Sequence, residues 1–490
     1  MAAIAIASAV AAVSEPTRAA FCIDDCELAP ILALPLHNAI PPAGVYTIGT
    51  IGVAAVAPMI ATIVLGHELT PSELWHIEMS VVLGPFGWML ADQMFPPGHG
   101  APAGPPSSAG GGGANINLPL PGQFFFVPNE VVLEVDSGTS ASYLVRLARR
   151  LGLSLLETQR FALTGRSILR FHINNGRSVI SILRSLGRYA RIAAAQPNYL
   201  YLLQQGAPAV TREAAPDSGI VQYVVDKLRL REAHAISSGD DVPVALIDSQ
   251  VDAAQPELAG SIVDEFDAVG PPATPHSHGT AIAGAIAAHA KLLGVAPKVK
   301  LMIARVFSGS GDSAQGTTFN ILKGIDWAAS RKARVINMSF AGPNDPMIRN
   351  MIAKAHARGI VLVAAVGNAG PRARPLYPAA YPNVIGVTAT DIDDKLMTQA
   401  NRGRQVTISA PGVEIVEPAP ADSYQIISGT SIAAAHVSGV AALLLAEDPK
   451  LTPNDVKRIL TGSAHALHLP ALEAGAGEID ALSALRAIKK

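Results

Sequence analysis

From about residue 219 onward the chain repeats one pattern: a short, continuous apolar run, then a stretch with helical spacing. The apolar runs are VPVALID (242–248), VKLMIARVF (299–307), ARVINMSF (333–340), IVLVAAVG (360–367) and NVIGVTAT (383–390). Helical spacing follows His278 and recurs in FNILKGIDWAAS (319–330) and MIRNMIAKAHARG (347–359). Strands that are apolar at every position must be covered on both faces. Helices between them make the crossovers that parallel strands need. The pattern predicts an α/β fold in three layers with a mainly parallel sheet. In such folds chemistry sits at the carboxyl ends of the strands.

The whole chain has 490 residues, too many for one ordinary domain. Upstream of the repeat lie several different textures. Residues 1–95 are an apolar N-terminal region. Within it, MAAIAIASAVAAV (1–13) lacks the basic start of a secretory signal. The uncharged run 45–65 is roughly long enough to span a bilayer, and 79–91 is a shorter apolar run with two glycines and a proline. Both are candidate membrane segments; a buried soluble hairpin is the alternative. Residues 96–120 are rich in proline and glycine and read as a linker.

Residues 121–205 read as a small α+β module, β-α-β-β-α-β in order, of the ferredoxin type. Its strand signals are FFFVPNEVVLEV, SILRFHI and AAAQPNYLYLLQQ; its helix signals are ASYLVRLARRLGL, ending at Gly152, and GRSVISILRSLGRYARI. Residues 206–218 are a polar connector of the kind that is readily cut. Residues 219–490 hold the repeating pattern.

Composition removes several functions. Hydrophobic residues make up 49% and charged residues 16%, so a large core can be buried. The net charge is -2, with Lys and Arg scattered, which argues against nucleic acid as a partner. Cys22 and Cys26 are the only cysteines. A disulfide scaffold and a cysteine zinc site are therefore excluded downstream of them.

Four short motifs carry candidate chemistry. Asp248 ends a buried strand; taken alone, it would read as a turn residue. His276-Ser-His278-Gly-Thr opens a helix, where a lone histidine usually caps or packs. A metal reading with His289 lacks a carboxylate or third ligand at convincing spacing. Ala365-Val366-Gly367-Asn368 follows a buried strand, and Asn368 is ordinarily a turn former. Ser428-Gly-Thr-Ser431 opens an apolar helix, where serine is usually an N-cap. Together they supply what acyl transfer needs. A weak hydroxyl nucleophile needs a base, the base needs a carboxylate, and the tetrahedral oxyanion needs fixed donors.

The order Asp248, His278, Asn368, Ser431 and the wording HGT-x-x-AG, AA-x-GN-x-G and GTS-x-AA-x-HV-x-G resemble the subtilisin-like (subtilase) peptidases. GAGEIDA (475–481) is similar to their closing motif. The resemblance implies a serine endopeptidase with Asp248, His278 and Ser431 as triad, and Asn368 with Ser431 as oxyanion hole. It implies that 121–205 is an inhibitory propeptide and the chain a self-processing zymogen. It further implies that the stretch Asn337-Met-Ser-Phe-Ala-Gly342, chiefly Ser339, Phe340, Ala341 and Gly342, lines the specificity pocket with Ala365, Val366 and Gly367. Ser308, Gly309 and Ser310 should form the edge that pairs with extended substrate. The expected partners are peptide or protein substrates and the chain's own propeptide, with possible membrane association through the N-terminal region. The expected location is membrane-associated or extracytoplasmic. The chemistry itself needs no cofactor. Structural calcium is common in the family, but the nearest Asp-rich stretch, Asp391-Ile-Asp393-Asp394, reads as a solvated turn.

Two departures stand out. Gln250 replaces a turn glycine, and Ala435 a proline. They keep open a second reading, a catalytically weak, membrane-tethered peptide-binding protein on the same fold.

Overall fold

Each apolar run of the repeating part becomes a strand of one parallel sheet. The computed structural model describes residues 115–119, 125–136, 138–189, 191–203, 210–212, 221–309 and 314–488. The N-terminal region 1–95, with its apolar runs and both cysteines, lies outside the described residues, as does most of the linker.

The module comprises β1 (Asn115–Ile116), β2 (Phe126–Val135), α1 (Ala141–Leu151), β3 (Leu153–Arg160), β4 (Ser167–Ile173), α2 (Val179–Leu186) and β5 (Ile192–Leu203). The predicted β-α-β-β-α-β order holds over β2 to β5, which are arranged β5-β2-β4-β3. Local signals explain the helices. Ser140 and Ser178 accept backbone N–H groups at the two N-termini, and Gly152 closes α1 at φ 70°. The linker reading needs one correction. Asn115–Ile116, inside 96–120, is a strand that pairs in parallel with Ala194–Ala195 of β5. Two residues without apolar alternation carry no strand signal of their own; the free edge of β5 supplies it.

After β6 (Val210–Arg212) and two short helices at 223–227 and 230–234 comes the peptidase-like body. In chain order it holds β7 (Pro243–Asp248), β8 (Ile262–Asp267), α3 (Ser277–Ala287), β9 (Lys300–Arg305), β10 (Phe307–Ser308), β11 (Gln315–Thr317) and α4 (Thr318–Ser330). There follow β12 (Val335–Met338), β13 (Phe340–Ala341), α5 (Pro346–Ala357), β14 (Val361–Ala365), β15 (Ile385–Thr390), β16 (Ile408–Pro411), β17 (Ile415–Ala419) and β18 (Ser423–Ile427). Helix α6 (Thr430–Glu447), α7 (Pro453–Gly462), a turn of helix at 471–474 and α8 (Ala481–Ile488) complete it.

Seven strands form the sheet β16-β15-β14-β12-β7-β9-β8, parallel throughout. One face packs on α3 and α6, the other on α4 and α5, so each face has its own apolar cluster. Helix α6 is long and apolar enough to cross a membrane, yet 89% of it is buried among the described residues. It is the central core helix of the domain. Gly439 lets it approach the body closely: a Cβ there would lie 2.6 Å from the Val295 side chain.

Residues Pro97–Lys490 fall in one compact unit. Strand β5 is the reason. Its first half lies between β1 and β2 of the module; its second half lies between β11 and β13 of the body.

Candidate active site

Asp248 is the last residue of β7 and is fully buried. Its Oδ1 accepts from the Ser249 N–H at 2.7 Å and the Ser249 hydroxyl at 3.1 Å. The same oxygen lies 2.8 Å from His278 Nδ1. His278 is brought there by the start of α3. The helix can approach because residue 279 is glycine: a Cβ would lie 2.7 Å from the Ser249 carbonyl oxygen. The Gly279 N–H instead donates to Ser249 Oγ at 3.1 Å.

The two neighbouring histidines have separate tasks. His276 is the N-cap of α3, its Nδ1 accepting the His278 N–H at 3.1 Å. His278 alone faces the carboxylate. With Nδ1 donating to Asp248, the neutral imidazole leaves Nε2 as an acceptor. Among the described residues, that Nε2 is buried without a hydrogen-bond partner.

Ser431 is not an N-cap. Gly429 holds that position with an extended backbone, and Ser431 is the second residue of α6. Its backbone is held from below. The Ser339 hydroxyl donates to the Ser431 carbonyl at 2.9 Å, and Asn337 Nδ2 donates to Ser339 Oγ at 2.8 Å. Ser438 Oγ lies 2.9 Å from Asn337 Oδ1. All three side chains are buried. Sequence reasoning placed Asn337 only in the stretch expected to line the specificity pocket, and it gave Ser438 no role. Their only signal is polarity inside an apolar strand and an apolar helix.

Asn368 follows β14. Its Oδ1 accepts from the Thr430 N–H at 3.1 Å and the Thr430 hydroxyl at 2.8 Å. Two donors on the oxygen fix which way the amide is turned, and they place Asn368 beside the residue preceding Ser431. Ala365, Val366 and Gly367 are buried at the same strand end. The Gly367 N–H donates to Thr430 Oγ1 at 3.2 Å.

Neither departure disturbs this arrangement. Gln250 is absent from the residues with positive φ, so its turn does not require glycine. Its side chain donates to Glu265 at 3.0 Å and its carbonyl accepts the His276 N–H at 2.8 Å. Ala435 lies inside an uninterrupted helix and is fully buried. Two further buried groups lie on or beside α6, His436 within it and Glu417 in β17. Burial lowers His436 to about 4, and burial together with Glu257 pushes the Glu417 carboxyl well above its usual range. The carboxylates of the Asp-rich turn engage their own surroundings: Asp391 accepts the Asp393 and Lys395 N–H groups, and Asp394 pairs with Lys227 at 2.8 Å.

Beside these groups runs β5. Leu200–Leu202 pair with β11, and Leu202–Leu203 pair with Phe340–Ala341 of β13, both antiparallel. Residue 342 must be glycine because a Cβ would lie 2.4 Å from the Tyr201 ring. The expectation for Ser308, Gly309 and Ser310 is corrected here. Phe307–Ser308 form β10, which pairs with β11, and β11 stands between it and β5. Ser310 lies outside the described residues. The bordering edge is Gln315–Thr317, set by a hairpin whose register the local sequence did not disclose.

The module is also held by side chains. Asp326, on α4, accepts the Ala162 and Leu163 N–H groups at 3.0 and 2.7 Å. Asn198 Oδ1 accepts the Phe319 N–H at 3.2 Å, and the Tyr199 N–H donates to Thr318 Oγ1 at 3.0 Å. Lys323 pairs with Glu157 at 2.7 Å.

Residues 239–478 match the model of the subtilase family, Peptidase_S8. Thermitase of Thermoactinomyces vulgaris is 37% identical over 234 residues, covering 46% of this chain and 82% of that protein. Subtilisin DY of Bacillus licheniformis is 36% identical over 239 residues, covering 46% of this chain and 84% of that protein. Among solved structures, fervidolysin from Fervidobacterium pennivorans, a keratinolytic enzyme related to subtilisin, superposes with a TM-score of 0.64 at 22% identity. That likeness covers 76% of this chain and 63% of fervidolysin, so it extends beyond the peptidase-like body. The geometry and the relatives agree: the chain belongs to the subtilase family of serine endopeptidases.

Proposed function

We propose that Ser431 is the nucleophile, His278 its base and Asp248 the group that orients the base. The observation that carries this is the buried Asp248–His278 contact of 2.8 Å, with Nε2 of the same ring left as an acceptor. The Ser431 hydroxyl proton passes to His278 Nε2 as Oγ bonds to the carbonyl carbon. His278 then gives that proton to the departing amine, and the C–N bond breaks. Water repeats the steps in reverse order of partners and frees the acid. Asp248 holds the Nδ1–H tautomer and stabilises the imidazolium. The Asn368 amide and the Ser431 N–H, near the positive end of α6, receive the developing oxyanion. These are all protein groups, so the reaction itself needs no cofactor.

We read the chain as a precursor. The second half of β5 lies along the body as an extended strand between β11 and β13, which is how substrate would bind by strand addition. Ser339, Phe340, Ala341, Gly342, Ala365, Val366 and Gly367 then border the residues on the amino side of the cut. The bond that frees the module lies between Leu203 and Val210. The apolar runs 45–65 and 79–91 fit delivery to or across a membrane and an extracytoplasmic site of action.

The test is the N-terminus of purified protein. Wild type should begin within 204–210, while Ser431→Ala stays full length. Processing of the Ser431→Ala protein in isolation would refute self-cleavage. For the membrane reading, carbonate washing should leave the unprocessed chain in the membrane fraction; its release would exclude a spanning segment.

A further inference from the structure

The module carries a charge that the body does not. Residues 121–205 hold ten arginines and no lysine, against only Glu130, Glu134, Asp136 and Glu157, a net charge of +6. In residues 219–490 the 25 Lys and Arg equal the 25 Asp and Glu. The excess is gathered on one side of the module. Helices α1 and α2 cover one face of its sheet, burying Leu147, Leu151, Ile182, Leu183 and Leu186 in a single cluster, and neither helix contains an acidic residue. Their outer sides, with the turn between α2 and β5, present Arg146, Arg149, Arg150, Arg184, Arg188 and Arg191, all exposed.

The carboxylates of the module are engaged elsewhere. Glu134 and Asp136 pair with Arg166, Glu157 with Arg170 and Lys323, and Glu130 accepts from Asn198. Among the described residues none of the six arginines forms a salt bridge. Arg191 instead lies over the Tyr143 ring, 5.4 Å from its centre, which ties the turn to α1. The negative end of a helix favours Arg149, Arg150 and Arg184 in the last turns. It does not account for Arg146 and Arg191, nor for arginine at every basic position of the module. A face kept only for solubility mixes the two signs.

We propose that this arginine face is a docking surface for an anionic lipid bilayer. A guanidinium matches phosphate oxygens as a two-pronged fork, and a lipid surface offers many phosphates in one plane. The way the chain enters the module favours a bilayer over a soluble polyanion. Ile116, at the end of the linker, packs into the same helical layer; a Cβ on Gly187 would lie 3.2 Å from its side chain. The linker thus joins the module at the arginine layer, and it comes after the uncharged run 45–65, roughly long enough to span a bilayer. The opposite face of the module's sheet packs on the body. Docking through the helices therefore holds the body, with its active site, away from the lipid. This rests on the membrane reading of the N-terminal region.

Arginine reactivity tests the proposal on the full-length chain. Uncut Ser431→Ala protein is labelled with phenylglyoxal at low salt, and each site is read by mass spectrometry. Vesicles of phosphatidylcholine, alone or mixed with phosphatidylglycerol, are the probe. The six arginines should label at least about threefold more slowly with the anionic vesicles only, while exposed Arg372 and Arg458 of the body keep their rates. High salt should abolish the protection. Each arginine strengthens binding to such a surface roughly fivefold. Arg146→Gln, Arg149→Gln and Arg150→Gln together should therefore weaken docking about 100-fold. Arg184, Arg188 and Arg191 then return to their lipid-free rates, with the thermal midpoint unchanged. Equal labelling with both kinds of vesicle would overturn the proposal. So would protection by double-stranded DNA at a lower phosphate concentration than by vesicles. Carbonate washing separates the two readings. If the chain is washed off although anionic lipid protected its arginines, only the spanning segment has failed; if it stays and the protection is absent, only the arginine face has.

Discussion

The peptidase-like body and the module both bury apolar strands, but they hold their parts differently. In the body, Asp248, His278 and Ser431 sit on three elements that meet over a seven-stranded parallel sheet, all with no exposure. Helix α6 is buried along nearly its whole length. In the module, α1 buries only Leu147 and Leu151. Its sheet has two apolar faces. Val131, Leu133 and Leu169 face the module's own core, while Val132 and Ile168 join a cluster shared with α4 and α5. Phe161, Tyr199 and Tyr201 belong to that shared cluster too. The body completes its α3–α6 face by itself; its α4–α5 face and the outer face of the module complete each other. A group held by its own core is placed for chemistry, and a face completed by a neighbour is suited to docking.

The largest effects should come from the rigid region. Ser431→Ala should lower kcat by roughly 10⁴- to 10⁶-fold while leaving the thermal midpoint within a few degrees of wild type. Asp248→Asn should lower kcat by about 10⁴-fold, because the amide favours the wrong imidazole tautomer. Burst titration of active sites with folding checked by circular dichroism measures both. If Asp248→Asn instead unfolds the protein, the α3–α6 side of the body is not the self-sufficient frame described here, since a near-isosteric change would have broken it.

Asn368→Ala is the next step down. Losing one oxyanion donor should cost about 100- to 1,000-fold in kcat with little change in KM. A rise in KM alone would place Asn368 in ground-state binding. These three positions were legible in the sequence because each sits in a short contiguous motif at a strand or helix end. What supports them was not. The Asn337–Ser339–Ser438 chain joins residues about 100 positions apart, and only packing brings β12 and α6 together. The strand bordering β5 is Gln315–Thr317 and not the expected Ser308–Ser310 for a related reason. Both stretches are polar and adjacent in sequence, and the β10–β11 hairpin decides which one faces β5.

The docked region should respond more modestly. Asp326→Ala removes two hydrogen bonds to the loop at Ala162 and Leu163, one of them buried. Hydrogen bonds to a charged group are worth about 1.5–3 kcal/mol. If the module inhibits the processed enzyme as proposed, the buried bond alone predicts inhibition weaker by about 10- to 100-fold, read as the inhibition constant. An unchanged constant would mean the shared apolar cluster alone sets affinity. The module's order of elements was readable from its caps and alternation. Its dependence on the body was not, because Val132 and Ile168 look like ordinary members of buried strands.

The smallest effect tests whether the body's frame is as closed as it looks. His436 is buried on α6, with Nδ1 donating to the Pro411 carbonyl at 2.8 Å. The Glu417 carboxyl is 3.9 Å from Nε2, and burial, with Glu257 beside it, raises that carboxyl well above its usual range. Burial lowers the imidazole from 6.5 to about 4. The unfolded chain binds this proton below pH 6.5 and the folded chain only near 4. Stability is thus fully present above 6.5 and lost as pH falls toward 4, by about 1 kcal/mol between pH 6 and 5. Glu478 works the other way. Burial raises it from 4.5 to about 7, so its contribution is present below 4.5 and lost as pH rises through 7. The raw pH slope mixes the two, so the useful quantity is the difference between wild type and His436→Asn, which keeps a donor for Pro411. In Ser431→Ala background, to prevent self-digestion, the wild-type minus Asn difference in thermal midpoint should shift by about 1–2 °C between pH 6 and 5. No shift would mean that water or Glu417 reaches the imidazole on protonation, and that this end of α6 is open in a way the catalytic end cannot be.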